Sequence, residues 1–548
     1  MQRMPHMSNA QYLFQKMPTR CQPNSSYRVK VLSRHKSLHD FLTKGASLMM
    51  STYTGQSAKQ QKHGSWFMLL VSFIFALNLT GCGGGSGSGD SQTNNSDDGQ
   101  VLVALTDAAG DFVTYTVDVL SIKLTHANGS VVETLPIVTR VDFAQYTELT
   151  EFLTAATVPN GRYVKGSIVL DYSNADIQVE DDAGNAKPVT DIVDSNGTAV
   201  TTLDVKVTLE GRSALPVAPG IPKNLMLDFD LEQSNTVVFD GDQVKVTVEP
   251  ILIAEVDPQT PKRQRVRGPL KTVNVAASAF DIYIRPFFHR ISLGQRVFGT
   301  LRVQANDETY YEINGIGYKG AQGLQVLETV AQYTGVIVKG DLKFAPLRYE
   351  AREVYAGSSV PGGDLDLVRG TVTSRNGNQI IVRGATVFRA NGTVVFNDSV
   401  TVSLDNSTTV LKQLSLGTFN ISDISVGQRI AIFGTVTNDQ VSDLQMSAAN
   451  GYARMALSYL SGNVVAMPDE STDFTLNLSS INGRTINLYD FSGTGTSGND
   501  ANPVSYEVDT GTLTLDGIAV EQDVRTAGFP TPFGTAPSDY TAQTVGKK

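Results

Sequence analysis

The chain has 548 residues, with 44 Lys and Arg against 54 Asp and Glu and a formal net charge of −10. The imbalance is uneven: residues 1–81 hold ten of the basic residues and one acid, which leaves 34 basic and 53 acidic side chains in residues 82–548, a net charge near −19. That balance argues against a nucleic-acid partner, whose phosphates need a basic face, and against adhesion to anionic lipid through charge alone.

In chain order, residues 1–49 carry eight Lys and Arg and one acid, without a clear pattern. The only strongly apolar stretch follows, Trp66 to Leu77, reading WFMLLVSFIFAL. As a helix it would span about 18 Å, short of the roughly 30 Å of a bilayer core. Lys59, Lys62 and His63 precede it with no acid among them, the layout of a secretory signal peptide. Leu79-Thr80-Gly81-Cys82 resembles the bacterial lipobox. The resemblance implies a diacylglycerol on the Cys82 thiol and cleavage before it, so that the mature protein meets the membrane through lipid. Gly83 follows, not Asp, which points to the outer membrane, facing periplasm or cell surface. Cys21 lies upstream, so the mature chain has no disulfide. Met49 or Met50 gives a signal peptide of ordinary length. Residues 1–49 are therefore read as a misassigned start, 50–81 as the signal and 82–100 as a flexible Gly/Ser tether with no apolar side chain to bury.

From 101 to 257 the segments alternate as half-buried strands do. Val101–Leu105, Val113–Val117, Val119–Leu124 and Val131–Leu135 come first, the last after an Asn128-Gly129 turn. Val164–Tyr172, Ile177–Glu180, Leu203–Leu209, Leu225–Leu231 and Val244–Ile253 follow, and only Phe143–Ala155 reads as a short helix. Such a series predicts an antiparallel β-sandwich. Val103-Ala104-Leu105-Thr106-Asp107-Ala108-Ala109-Gly110-Asp111, Pro159-Asn160-Gly161-Arg162-Tyr163 and Leu227-Asp228-Phe229-Asp230-Leu231 resemble domain-of-unknown-function family 4382 over most of 100–256. That family occurs in bacterial lipoproteins and implies no activity.

The remainder repeats weakly. Val266-Arg267-Gly268-Pro269-Leu270, Val368-Arg369-Gly370-Thr371-Val372 and Leu460-Ser461-Gly462-Asn463-Val464 open three units, 262–357, 364–450 and 455–530, with a tail at 531–548. Tyr333 to Gly340 and Val426 to Gly434 recur late in units one and two, and the third has a degraded version near Ile518 to Val524. The pattern resembles domain-of-unknown-function family 5666, which implies small OB-like β-barrels. A turn of helix within Leu324–Tyr333 is the only other helix expected. The fold class is all-β: a sandwich followed by two or three barrel repeats, the third degenerate.

Chemistry is sparse. His126 and His289 are the only histidines after the signal, the mature thiol is acylated, and no Gly-x-Ser-x-Gly, His-Glu-x-x-His or Gly-x-x-x-x-Gly-Lys motif occurs. His126 reads as a solvated residue beside a turn. Asp176, Glu180, Asp181 and Asp182 crowd one hairpin, and Asp181 and Asp182 are candidate Ca²⁺ ligands. No Asp-x-Asp-x-Asp-Gly spacing supports them, and the cluster reads as solvated. Asp228, Asp230 and Glu232 read as one solvated strand face. Tyr310, Tyr311, Tyr318 and Tyr333 are candidate sugar-stacking residues, since the sole tryptophan, Trp66, leaves with the signal. Adjacent strand residues alternate faces, so one of Tyr310 and Tyr311 is expected outward. The sequence thus predicts a non-enzymatic envelope lipoprotein, with no cofactor or metal, binding a protein or glycan. The alternatives are a structural spacer and a cryptic hydrolase.

Overall fold

The computed structural model describes residues 97–107, 112–146, 149–211, 214–241, 243–258, 262–285, 298–344, 347–467, 473–496 and 498–547. The 1–49 extension, the signal, Leu79, Thr80, Gly81, Cys82 and most of the tether lie outside the described residues. The end of the tether does not stay free. Asp98–Thr106 is one strand, in which Gly99 and Gln100 pair with Val158 and Thr157.

The N-terminal unit is a two-layer sandwich. One sheet holds Asp98–Thr106, Thr150–Pro159, Lys223–Phe229 and Leu252–Val256. The other is built on two long strands, Phe112–His126 and Gly161–Glu180. Each long strand joins two segments that read separately in sequence. Register shifts at Thr116/Asp118 and Val119/Ser121 break the alternation and let the pair bend around the core. Tyr115, Phe143, Phe152 and Phe229 fill the space between the layers. Two expectations are corrected. The sandwich is not wholly antiparallel, because Val101–Thr106 runs parallel to Lys223–Asp228. Nor is Phe143–Ala155 a helix: Phe143–Tyr146 is a single 3-10 turn and Thr150–Pro159 is a strand. That strand is central and covered on both faces, so its apolar residues do not alternate, and the period that separates strand from helix is lost.

Three five-stranded barrels follow. Barrel 1 uses Gln264–Asn274, Ala279–Tyr283, Thr300–Gln304, Gly335–Phe344 and Leu347–Ala356. Barrel 2 uses Asp366–Asn376, Gln379–Phe388, Val394–Ser403, Arg429–Asn438 and Leu444–Ala456. Barrel 3 uses Ser458–Ala466, Asp473–Ile481, Tyr506–Asp509, Asp523–Pro530 and Tyr540–Lys547. In each, the first strand pairs with the second and fourth. The third pairs with the second and, in parallel, with the fifth, and the fourth–fifth pair closes the ring. Closure of five strands in this order is the OB-like barrel, and it leaves no open sheet edge.

The third unit is therefore not degenerate in topology. Its last strand lies in the stretch read as a 531–548 tail. The repeated glycines explain why the sequence shows the first strand so clearly. A Cβ on Gly370 would sit 2.6 Å from the Arg383 carbonyl oxygen, and one on Gly462 would sit 2.5 Å from that of Asn477. The strand coils there so tightly that only glycine fits. The fourth strand has its own set, Gly340, Gly434 and Gly528, each pressed on a fifth-strand carbonyl. Gly528 is the third-unit counterpart of Gly434, and the degraded segment near Ile518 to Val524 holds the matching turn: Glu521 has φ 70° where Gly427 has 86°, and its N–H donates to the Val464 carbonyl as that of Gly427 does to Val372.

Barrel 1 inserts a hairpin, Tyr310–Ile313 with Ile316–Lys319, and a helix, Gly320–Thr329, between its third and fourth strands. The helix starts earlier than the expected Leu324. Barrel 2 has the strand Thr409–Lys412 and the 3-10 turn Ile421–Asp423 there. The boundary read between 257 and 262 is not a break in the sheet. The first strand of barrel 1 pairs in parallel with the sandwich, Gln264 with Thr150 and Arg265 with Glu151, and one core runs through both. No helix among the described residues is long and apolar enough to cross a membrane.

Candidate functional site

The four candidate tyrosines do not form one platform. Tyr310 and Tyr311 are both buried, which corrects the expectation that one faces outward. The helix Gly320–Thr329 covers Tyr311, close enough that a Cβ on Gly323 would lie 2.1 Å from its ring. Tyr310 packs with Tyr355 and Val360 on the other side. Burial raises both phenols well above the usual tyrosine range. Tyr318 is half-buried against the main core. Tyr333 is 38 % exposed and stacks on Tyr283, with ring centroids 6.1 Å apart and planes at 12°. The ammonium of Lys271 lies 5.6 Å from the Tyr283 centroid. Of the four tyrosines only Tyr333 is exposed, and its stacking partner is the buried Tyr283, which the sequence reading missed because it lies 50 residues upstream on the second strand of barrel 1.

The acidic hairpin has a different use from either one expected. Asp181 accepts from the backbone N–H of Asn185 at 2.7 Å and of Ala183 at 3.0 Å, and so shapes its own turn. Asp182 is exposed. Glu180 is not solvated: it pairs with Arg484 of barrel 3 and accepts from the Thr485 N–H at 3.0 Å. The Gly184 carbonyl accepts from Arg484 at 3.1 Å and Arg383 at 3.3 Å. The hairpin docks the sandwich onto barrels 2 and 3. Asp230, expected on a solvated face, is buried and caps the short helix Leu231–Ser234, accepting from Gln233 N–H at 3.0 Å. Its strand ends at Phe229, so Asp228, Asp230 and Glu232 never share a strand face. His126 is half-buried, edge-on to Tyr163 at 5.3 Å, and its Nδ1 accepts from Asn128 N–H at 3.1 Å. His289 lies outside the described residues. Among those described, no three His, Cys, Asp or Glu are grouped to hold a metal ion.

The densest constellation of charge is one the sequence reading did not single out, the seam between barrel 1 and barrel 2. In barrel 1, Val266 points into the core, so Arg265 and Arg267, its neighbours, point to the outer face. Both donate to the fully buried Glu151 of the sandwich, Arg267 Nε at 2.6 Å. A row then crosses the sheet through paired residues: Glu151, Arg265, Lys339, Glu353. Glu353 is buried and accepts from Lys339 at 3.0 Å, Arg263 at 3.3 Å, Tyr355 Oη at 2.5 Å and Gln413 of barrel 2 at 2.8 Å. Burial alone would raise its carboxyl, but Lys339 and Arg263 outweigh it and hold the pKa at about 2. Across the seam, Arg454 of barrel 2 donates through Nε to the buried Glu312 of barrel 1 at 2.6 Å and through Nη2 to the Ser359 carbonyl at 2.8 Å. Its guanidinium lies 4.2 Å from the Tyr355 centroid. Burial would lower the Arg454 pKa, and Glu312 more than reverses that.

A signal for this seam was present. Arg263, Arg265 and Arg267 stand at alternate positions running into one strand, and Arg267 and Arg369 occupy the same place in the repeated Val-Arg-Gly. The motif drew notice for its glycine, and the arginine beside it carries the charge of the interface.

Comparison with curated proteins finds no match to the chain. Residues 98–250 match the family described as Domain of unknown function (DUF4382). The match covers most of the N-terminal sandwich, close to the 100–256 span expected, and it is to this family that the N-terminal domain is similar.

Proposed function

We propose that the protein is a non-enzymatic lipoprotein of the outer membrane, anchored through Cys82, whose body serves as a rigid spacer of the cell envelope. The observation that carries this reading is the cross-linking of its four units by buried and half-buried polar contacts. Arg454–Glu312 and Gln413–Glu353 join barrels 1 and 2. Arg484–Glu180 joins barrel 3 to the sandwich, and Asn482 Nδ2 donates to the Gly427 carbonyl of barrel 2 at 3.3 Å. These contacts, with the single apolar core shared by the sandwich and barrel 1, oppose separation of the units. The four units should therefore move as one body on the tether. The resemblance of the barrels to family 5666 belongs to this reading, as does an N-terminal start at Met49 or Met50.

A distance measurement tests the rigidity. Spin labels on Asn196→Cys in the sandwich and Asp516→Cys in barrel 3, both exposed positions, should give one narrow distance distribution. A broad one would overturn the spacer reading. Palmitate labelling that survives Cys82→Ser would overturn the anchor. A second reading, a module binding a glycan or protein, is supported by the exposed Tyr333 stacked on Tyr283. Loss of glycan binding in Tyr333→Ala would establish it.

A further inference from the structure

We propose that the seam between barrels 1 and 2 is a binding site for a small oxyanion of the phosphate or sulfate class, held by Arg369 with Arg265, Arg267, Arg429 and Arg454. This goes beyond the spacer reading and does not depend on it. The geometry starts in barrel 2. Val368, Ile430, Ile432, Ala453 and Met455 face its core, so Arg369, Arg429, Ala431 and Arg454 face outward. Arg369 pairs with Ala431, and Ala431 with Arg454, in one row across three strands. The small Ala431 side chain stands between the two arginines in that row. Arg429 lies two residues from Ala431 on the same face. Opposite stand Arg265 and Arg267 of barrel 1.

Charge is not balanced there. Glu151 serves Arg265 and Arg267, and Glu312 serves Arg454. Adding the neighbouring Arg263, Lys339 and Glu353 gives seven cations against three carboxylates among the described residues. Two donors are left over. Arg265 is 4 % exposed, yet its Nη2 has no hydrogen-bond partner. The Arg369 guanidinium makes no hydrogen bond or ion pair with a described residue, while Arg265, Arg429, Arg267 and Arg454 all repel it. Burial first, and those four charges second, push its pKa down to about 9.

An arginine keeps its proton at neutral pH. The excess charge therefore stays in place and favours an anion at the seam. A tetrahedral oxyanion suits the site because its oxygens accept from several planar forks at once. Arg369 and Arg429 are half-buried, whereas Arg265 and Arg267 are deep. An anion would therefore meet Arg369 and Arg429 first.

The test uses the full chain in detergent. Thermal melts and titration calorimetry are run with inorganic phosphate, sulfate, glucose 6-phosphate and chloride at matched ionic strength. Phosphate or sulfate should raise the melting temperature by several degrees where chloride does not. A tighter response to the sugar phosphate would identify an ester as the ligand, and an equal or weaker one the free ion; either fits the oxyanion class. Arg369→Gln should weaken oxyanion binding at least tenfold. Without added anion it should melt no lower than the parent, since it removes a repelled charge. Arg429→Gln is the second variant, expected to weaken binding in the same direction. Arg352→Gln, at an exposed pair with Asp341, controls for net charge and should bind normally. The proposal is overturned if chloride gives the same shift, if no anion acts at 10 mM, a level of order 100 times a 0.1 mM Kd, or if Arg369→Gln binds like the parent.

Discussion

Replacing Glu312 by Gln should be among the most damaging single changes in the molecule, although it removes only one charge. The carboxylate is fully buried and takes both Nε and Nη2 of Arg454, whose side chain is 12 % exposed. Gln keeps the volume and one acceptor but leaves a guanidinium buried without its counter-charge. Breaking a buried pair from one side costs about 3–5 kcal/mol. Here the guanidinium keeps the Ser359 carbonyl and the faces of Tyr355 and Phe433, contacts that retain about 1–2 kcal/mol of cation–π attraction, so the loss should fall near the lower end. Removing both charges together, Glu312→Leu with Arg454→Met, strands neither, and an apolar replacement of a buried pair is often neutral. The double variant should therefore lie within about 1 kcal/mol of the parent, while its single corners, Glu312→Leu and Arg454→Met, each strand one charge at about 3 kcal/mol, giving a coupling of about 5 kcal/mol or more in the cycle. Urea titration followed by circular dichroism reads all four corners. A single variant that loses under about 1 kcal/mol would refute the reasoning, as would a double variant less stable than the single.

Two other outcomes follow from the same structure. Gly370→Ala and Gly462→Ala, whose methyls would meet carbonyl oxygens at 2.6 and 2.5 Å, should each cost about 1–3 kcal/mol. Gly363→Ala, with its nearest atom at 3.9 Å, should stay within about 0.5 kcal/mol; equal melts for all three would show that the coil of the first strand is not what demands glycine. Glu353 gives a pH signature. Its folded pKa of about 2 lies below the ordinary glutamate value, so its stabilisation is complete above about pH 4.3 and is lost as pH falls toward 2, on the order of 3 kcal/mol in all. The parent should thus be more stable than Glu353→Gln at pH 6, and the gap should shrink by pH 3; a gap independent of pH would contradict the assignment.

The all-β class, the sandwich-then-barrels order and the opening strand of every barrel were legible in the sequence. Alternation of apolar residues records one buried face, and Gly268, Gly370 and Gly462 record a coil that no side chain tolerates. Phe143–Ala155 was not legible, because a central strand covered on both faces has no period of two. Nor was the last strand of barrel 3, Tyr540–Lys547, whose pairing with Asp523–Pro530 is set by ring closure and not by local pattern. The acids misled for a related reason. A charged residue looks the same in sequence whether water or an arginine answers it, and Glu180 finds Arg484 304 residues away. Glu151, Glu312 and Glu353 became a seam only when the sandwich and two barrels met. The sequence by itself determined most of the strands, those with one buried face, since that burial is written in each strand's own few residues. The tertiary structure alone decided which charges are buried together, because that depends on outer faces whose neighbours are supplied by other units of the chain.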